Sequence, residues 1–284
     1  MSRQRPSGSV CSTTRTPRVA EAARLAELFT SCHQHDRAAL IGYLPTGYPD
    51  VPTSIGAMTA LVESGCDIVE VGIPYSDPGM DGPTIATATE VALHGGVRLR
   101  DSLQAVEAIS DAGGRAVVMT YWNPVLKYGV DAFARDLAAA GGLGIITPDL
   151  IPEEAEEWLA ASDRHRLDRI FLVAPSSTPQ RLAATVRASR GFVYAASTMG
   201  VTGARDVVSQ TAPDLVHRVK EVSDIPVGVG LGVRSREQAA EIASYADAVI
   251  VGSALVSALG DGGVKSVRAL TEELADGVRQ RISA

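Results

Sequence analysis

The stretch IVEVGIPYSDPGMDGPTI, residues 68–85, decides the fold because it changes character half-way along. It opens as an apolar run with one carboxylate, Glu70, inside it, then passes through a turn-rich segment that carries a second, Asp81. Successive side chains of a strand point to opposite faces, so Ile68, Glu70 and Gly72 share one face and Val69, Val71 and Ile73 the other. The wholly aliphatic face suits a covering layer of helices. Glu70 then faces the interior that the strand helps to enclose, near the strand's C-terminal end. In DPGM (77–80), Pro78 and Gly79 hold the central positions that a type II turn favours, and Pro83 is placed to open a helix.

The same strand-then-helix unit recurs along the chain. Strands are expected at AALIGYL (38–44), DIVEVGI (67–73), AVVMTYW (116–122), LGIIT (143–147), RIFLVA (169–174), FVYAA (192–196), PVGVGL (226–231) and DAVIVG (247–252). Between them lie Ala-rich segments of helical period such as VDAFARDLAAAG (130–141), with Gly141 where a C-terminal cap belongs. Strands alternating with helices imply parallel pairing. Eight units without a linker or a break in composition predict one closed (β/α)8 TIM barrel over residues 23–284. The second unit is long, with two helical segments, PTIATATEVALHGG and RDSLQAVEAISDAGG, before the third strand. ARLAELFTSCH (23–33) is an additional N-terminal helix with Leu25, Leu28, Phe29 and Cys32 on one face, expected to plug the bottom of the barrel.

Residues 1–22 are expected to form a disordered arm. Its first 20 residues hold four Arg and no acid, without the apolar core of a secretory signal. The bias resembles an organelle transit peptide, though a solvated tail explains it as well. The 284 residues carry a net charge of −7 and no basic stripe interleaved with aromatics, which argues against nucleic-acid binding. No apolar run approaches the roughly 20 residues of a membrane span. Three widely spaced cysteines, Cys11, Cys32 and Cys66, fit a reducing compartment, so a cytoplasmic location is expected.

Three sets of residues bear on chemistry. A buried Glu70 costs several kcal/mol unless it is paired or protonated. It is either held by a distant cation or raised in pKa until it serves as both acid and base near neutrality. Asp81 could equally cap the helix opened by Pro83. The glycines of TMGVTG (198–203), GLG (230–232) and VGSAL (251–255) follow the last three strands, where barrels bind phosphate through backbone N–H groups; ordinary turn glycines are the alternative. The five histidines fall on helices or their approaches, so no metal site is expected.

VEVGIPYSDPGMDGPTI, MGVTGAR, GVGLGV and VIVGSAL together resemble, in order and spacing, the motifs of the tryptophan synthase α subunit family over roughly residues 24–275. The resemblance implies retro-aldol cleavage of indole-3-glycerol phosphate into indole and glyceraldehyde 3-phosphate, without a cofactor in this chain. By motif, Glu70 is the acid/base, Asp81 lies near the indole N–H, Tyr194 is an active-site tyrosine and Tyr43 walls the indole pocket. Thr202 and Gly203 match the lid, and Gly232, Gly252 and Ser253 the phosphate ligands. The resemblance also implies a pyridoxal-phosphate β subunit as partner in an α2β2 assembly, docked on Asp77, Pro78 and Asn123. Two departures stand out: Thr198 and Met199 replace the usual Arg before the lid glycine, and Gly79-Met80 replace a bulkier aliphatic and a small residue. The competing readings are a barrel that chiefly activates a β subunit, and another phosphate-binding TIM-barrel enzyme.

Overall fold

The computed structural model describes residues 25–196, 211–230 and 232–280. Among them are nine strands: β1 (Ala39–Pro45), β2 (Ile68–Gly72), β3 (Ala116–Met119), β4 (Gly144–Ile146), β5 (Asp168–Ile170), β6 (Leu172–Val173), β7 (Val193–Ala196), β8 (Val227–Gly230) and β9 (Ala248–Val251). All pair in parallel, in the order β5-β4-β3-β2-β1-β9-β8-β7-β6. The two ends of that order, β5 and β6, are consecutive pieces of one segment interrupted at Phe171. On one side Asp168 N–H donates to Leu143 O and Thr147 N–H to Ile170 O; on the other, Arg190 N–H donates to Arg169 O and Tyr194 N–H to Phe171 O. One segment is therefore bonded along both edges, and the sheet closes. The eight expected strands are all present, the fifth as this divided pair, and the fold is the expected TIM barrel.

Alternation along the strands sorts the core into two layers. Ala39, Ile41, Ile68, Val117, Ile146, Ile170, Phe192, Ala248 and Ile250 point into the barrel and pack together. Leu40, Leu44, Val69, Val71, Val118, Ile145 and Val249 point outward against the helices. Helix α1 (Leu25–Gln34) buries Leu25, Leu28, Phe29 and Cys32 against the inward layer, with the Phe29 and Phe192 rings 5.9 Å apart. At about 1.5–3 kcal/mol for each large apolar side chain removed from water, this is enough to hold the plug at the N-terminal mouth.

The crossover helices follow local signals. Asp50 caps α2 (Val51–Glu63) by accepting from Thr53 N–H at 2.8 Å. Thr178 and Ser235 do the same for α8 (Pro179–Ala188) and α10 (Arg236–Ala243). The long second unit contains both α3 (Pro83–His94) and α4 (Leu99–Asp111). Helix α6 (Val130–Ala139) buries Phe133 and Leu137, and Gly141 follows it at φ 87°. Helices α5 (Trp122–Tyr128), α7 (Glu156–His165), α9 (Thr211–Lys220) and α11 (Ser253–Arg279) complete the outer layer. No helix among the described residues is long and apolar enough to cross a membrane.

Two local expectations are corrected. AVVMTYW does not stay extended to Trp122: β3 stops at Met119 and α5 (Trp122–Tyr128) begins, because the Asp149 carboxylate accepts from Trp122 N–H at 2.9 and 3.1 Å. An aromatic-rich run that favours a strand is turned by a cap supplied from another unit. The segment 77–80 is not a type II turn, since Gly79 lacks the positive φ that such a turn requires at its third residue.

Candidate active site

Glu70 stands inside the barrel at the C-terminal half of β2, 2% exposed, level with Tyr43 of β1 and Val117 of β3. Its Oε2 has no hydrogen-bond partner among the described residues. Burial, and secondarily the charge of Asp81, push its carboxyl up to about 8. Among the described residues no cation lowers it, so the reading in which a distant Arg or Lys holds Glu70 in place finds no support there. At neutral pH the group is an acid, and it lies within reach of its own ionisation.

Asp81 is half-buried on the loop between β2 and α3. It does not cap α3, whose N-cap is Gly82 without a side-chain bond. Instead Asp81 Oδ1 accepts from the Tyr121 hydroxyl at 3.0 Å, and that hydroxyl accepts from Met80 N–H at 3.0 Å. Burial raises the Asp81 carboxyl and the Tyr121 hydrogen bond opposes the rise.

Two further phenols face the carboxylates. Burial, then the charges of Asp81 and Glu70, hold the Tyr43 hydroxyl well above its usual range, and Thr89 hydrogen-bonds to it. Tyr194 on β7 is raised by burial and then by Glu70. Both rings need space that only glycine leaves. A Cβ on Gly72 would lie 2.5 Å from the Tyr43 hydroxyl, and one on Gly230 would strike that of Tyr194. The structure therefore brings Tyr43, Glu70, Asp81 and Tyr194 together at one end of the barrel.

Beside Tyr43, at the end of β9, Gly252 precedes α11 and Ser253 begins it, buried, with no acid in the first turn. The first N–H groups of this helix have no intrahelical acceptor and carry the positive end of its dipole. Gly232 sits at φ 68°, a left-handed position that suits glycine. Thr202 and Gly203 lie outside the described residues. At the rim Asp77 is exposed and accepts from Ser76 Oγ at 2.6 Å, while Pro78 is partly exposed. Asn123, exposed on α5, donates to the Tyr75 hydroxyl at 3.3 Å, and the Tyr75 and Tyr121 rings lie 5.4 Å apart. Sequence reasoning placed Tyr121 only within YWNP (121–124), as part of the docking segment, and missed its bond to Asp81. The signal was there: Tyr121 continues the inward phase of Val117 and Met119 past the end of β3.

A sequence profile described as tryptophan synthase alpha chain matches residues 29–281. The chain belongs to the tryptophan synthase alpha chain family. It is 81% identical over 269 residues to the tryptophan synthase alpha chain of Mycobacterium avium (strain 104), covering 95% of this chain and 99% of that one. A solved structure of Mycobacterium tuberculosis tryptophan synthase matches at TM-score 0.88 and 80% identity, over 91% of this chain and 99% of that one. The tryptophan synthase alpha chain of Legionella pneumophila subsp. pneumophila, only 28% identical, still matches at TM-score 0.83 over 92% of this chain and 99% of that one. As a tryptophan synthase alpha chain it is a lyase of tryptophan biosynthesis that cleaves indole-3-glycerol phosphate. The alternative of another phosphate-binding barrel enzyme is not favoured.

Proposed function

We propose that Glu70 moves the proton on which the cleavage depends, with Asp81 and Tyr194 as its catalytic companions. The observation that carries this reading is a buried carboxyl without a counter-ion among the described residues, pushed up to about 8. As an acid, Glu70 protonates C3 of the indole ring, and positive charge spreads to the ring N–H, where the Asp81 carboxylate stabilises it. The bond from C3 to the side chain then breaks and its electrons return to the ring. The hydroxyl on the departing carbon becomes the aldehyde and gives its proton to Glu70, which regenerates the acid. One proton has moved from oxygen to carbon, so nothing but substrate is consumed.

Tyr43 walls the indole, while Gly232, Gly252 and Ser253 hold the phosphate at the start of α11; Thr202 and Gly203 belong to the lid. No cofactor is needed in this chain. Pyridoxal phosphate belongs to a β subunit that docks over Asp77, Pro78 and Asn123 in an α2β2 complex and receives the indole. The cytoplasm is the compartment. The test is indole release from indole-3-glycerol phosphate by the purified chain, alone and with a saturating β subunit. Turnover in both, higher with the partner, is expected. Absence of turnover in either overturns the assignment.

A further inference from the structure

Tyr121 is 5% exposed, and its hydroxyl makes two bonds to one loop: it accepts from Met80 N–H and donates to Asp81 Oδ1, each at 3.0 Å. The rest of that loop is held at Tyr75, which accepts from Asn123 Nδ2 at 3.3 Å. Gly79 would meet nothing within 4 Å if it carried a Cβ, Ser76 and Asp77 bond to one another, and Asp81 does not cap the helix that follows. Tyr121 itself is rigidly mounted, between the end of β3 and an α5 start capped by Asp149, with its ring against Tyr75. A buried phenol thus ties the Asp81 carboxylate to the end of β3.

We propose that Tyr121 is a positioning residue for the cleavage, holding Asp81 Oδ1 in one place on the loop between β2 and α3 so that it faces the indole. It touches no reacting atom. The proposal rests on the reading of Asp81 as the carboxylate that faces the indole N–H. A carboxylate that stabilises developing charge works only from a fixed place, and misplacement by about 1 Å costs up to about a hundredfold. The titratable groups that face Asp81 among the described residues are Glu70 on β2, Tyr43 on β1 and Tyr121, with Asp149 behind Tyr121. Of these, Tyr121 is the one whose hydrogen bond draws the Asp81 carboxyl down.

Tyr121→Phe removes the hydroxyl and keeps the ring. The experiment compares wild type, Tyr121→Phe, Asp81→Asn and the double variant, each as the full chain with saturating β subunit, for kcat, KM and pH dependence of indole release. Tyr121→Phe is expected to lower kcat about tenfold to a hundredfold with KM within about threefold. The acidic limb of its kcat/KM profile should move to higher pH, because Asp81 has lost the bond that favours its charged form. In the Asp81→Asn background the same change should add less than about threefold. If Asp81→Asn is impaired while Tyr121→Phe keeps wild-type kcat and the wild-type limb, Tyr121 does not position Asp81. Full additivity of the two changes overturns the proposal as well. Wild-type turnover in Asp81→Asn instead removes the role of Asp81, a failure distinct from that of Tyr121. Loss of packing alone lowers the melting temperature but leaves the acidic limb in place, and that result also counts against it.

Discussion

Glu70→Gln separates a proton carrier from a structural carboxylate because the two readings predict opposite effects on stability. The carboxyl moves from 4.5 to about 8 on folding. At about 1.4 kcal/mol per pH unit, its charged form is disfavoured in this site by about 5 kcal/mol, an upper figure before relaxation. The sign follows from linkage. Below pH 4.5 the group is protonated in both folded and unfolded chains and costs nothing. As pH rises through the window from 4.5 to about 8, the unfolded chain ionises and the folded one does not, so stability falls; above about 8 the whole cost is present. At pH 7 it amounts to about 3 kcal/mol by the same relation.

Glutamine has nearly the shape of the protonated acid and does not titrate. Glu70→Gln is therefore expected to melt with wild type near pH 4.5 and above it at pH 7 and 8.5, by about 2–4 °C for each kcal/mol. In the same variant kcat should fall by about 10²–10⁴, the usual worth of a general acid, with KM broadly unchanged. The assays are scanning calorimetry at three pH values and indole release at saturating substrate. A variant that melts below wild type at every pH and keeps its turnover would refute the reasoning, since that is how a carboxylate held by a hidden partner behaves.

Asp81→Asn should lower kcat by at least about a hundredfold while leaving the melting curve alone, because Asp81 caps nothing that Asn fails to support; wild-type turnover would take it out of the site. Ser253→Ala removes one donor from the start of α11, and a lost charge-assisted hydrogen bond of about 1.5–3 kcal/mol should raise KM about tenfold or more with kcat little changed; unchanged KM and unchanged inhibition by glycerol phosphate would move the phosphate elsewhere. Asn123→Ala is expected to weaken β-subunit binding and the stimulation that comes with it while sparing basal turnover, checked by titration against indole release. Gly72→Ala puts a methyl 2.5 Å from the Tyr43 hydroxyl and 2.7 Å from its ring, an overpacking that should cost about 1–3 kcal/mol in a melt and lower kcat as the ring shifts; the opposite result, a neutral melt, would mean that Tyr43 has room to turn.

Much of the barrel was legible because a strand has period two and the chain uses it consistently. The phase that places Val69 and Val71 under helices and Glu70 inside is visible in five letters, and the burial of Glu70 follows from it. What the sequence hid was decided by residues distant along the chain. Trp122 reads as the end of a strand until Asp149, twenty-seven residues on, captures its N–H and starts a helix. The fifth strand reads as one run, while the structure divides it at Phe171, where its partner changes from β4 to β7. The sequence left capping and catalysis even for Asp81, and capping is removed only by the structure, where Gly82 takes the N-cap position of α3 and Asp81 bonds to Tyr121 instead.

The inward glycines and tyrosines show how the fold and the site come from one pattern. At the N-terminal end the barrel fills with aliphatic side chains and with the Phe29–Phe192 contact, so it is sealed. Toward the other end the inward positions become Tyr43 and Gly72 on neighbouring strands, and Tyr194 and Gly230 on another neighbouring pair. Each glycine gives up its Cβ to the ring beside it. Two phenols can therefore pack beside the backbone of the neighbouring strand, near Glu70. Burial raises the Glu70 carboxyl, since a glutamate at the same height beside solvent would stay near its ordinary value. The acid at residue 70 is thus a consequence of glycines at 72 and 230 as much as of the glutamate itself. A substitution that returned water to this end would lower the Glu70 carboxyl and weaken it as an acid before it unfolded the barrel.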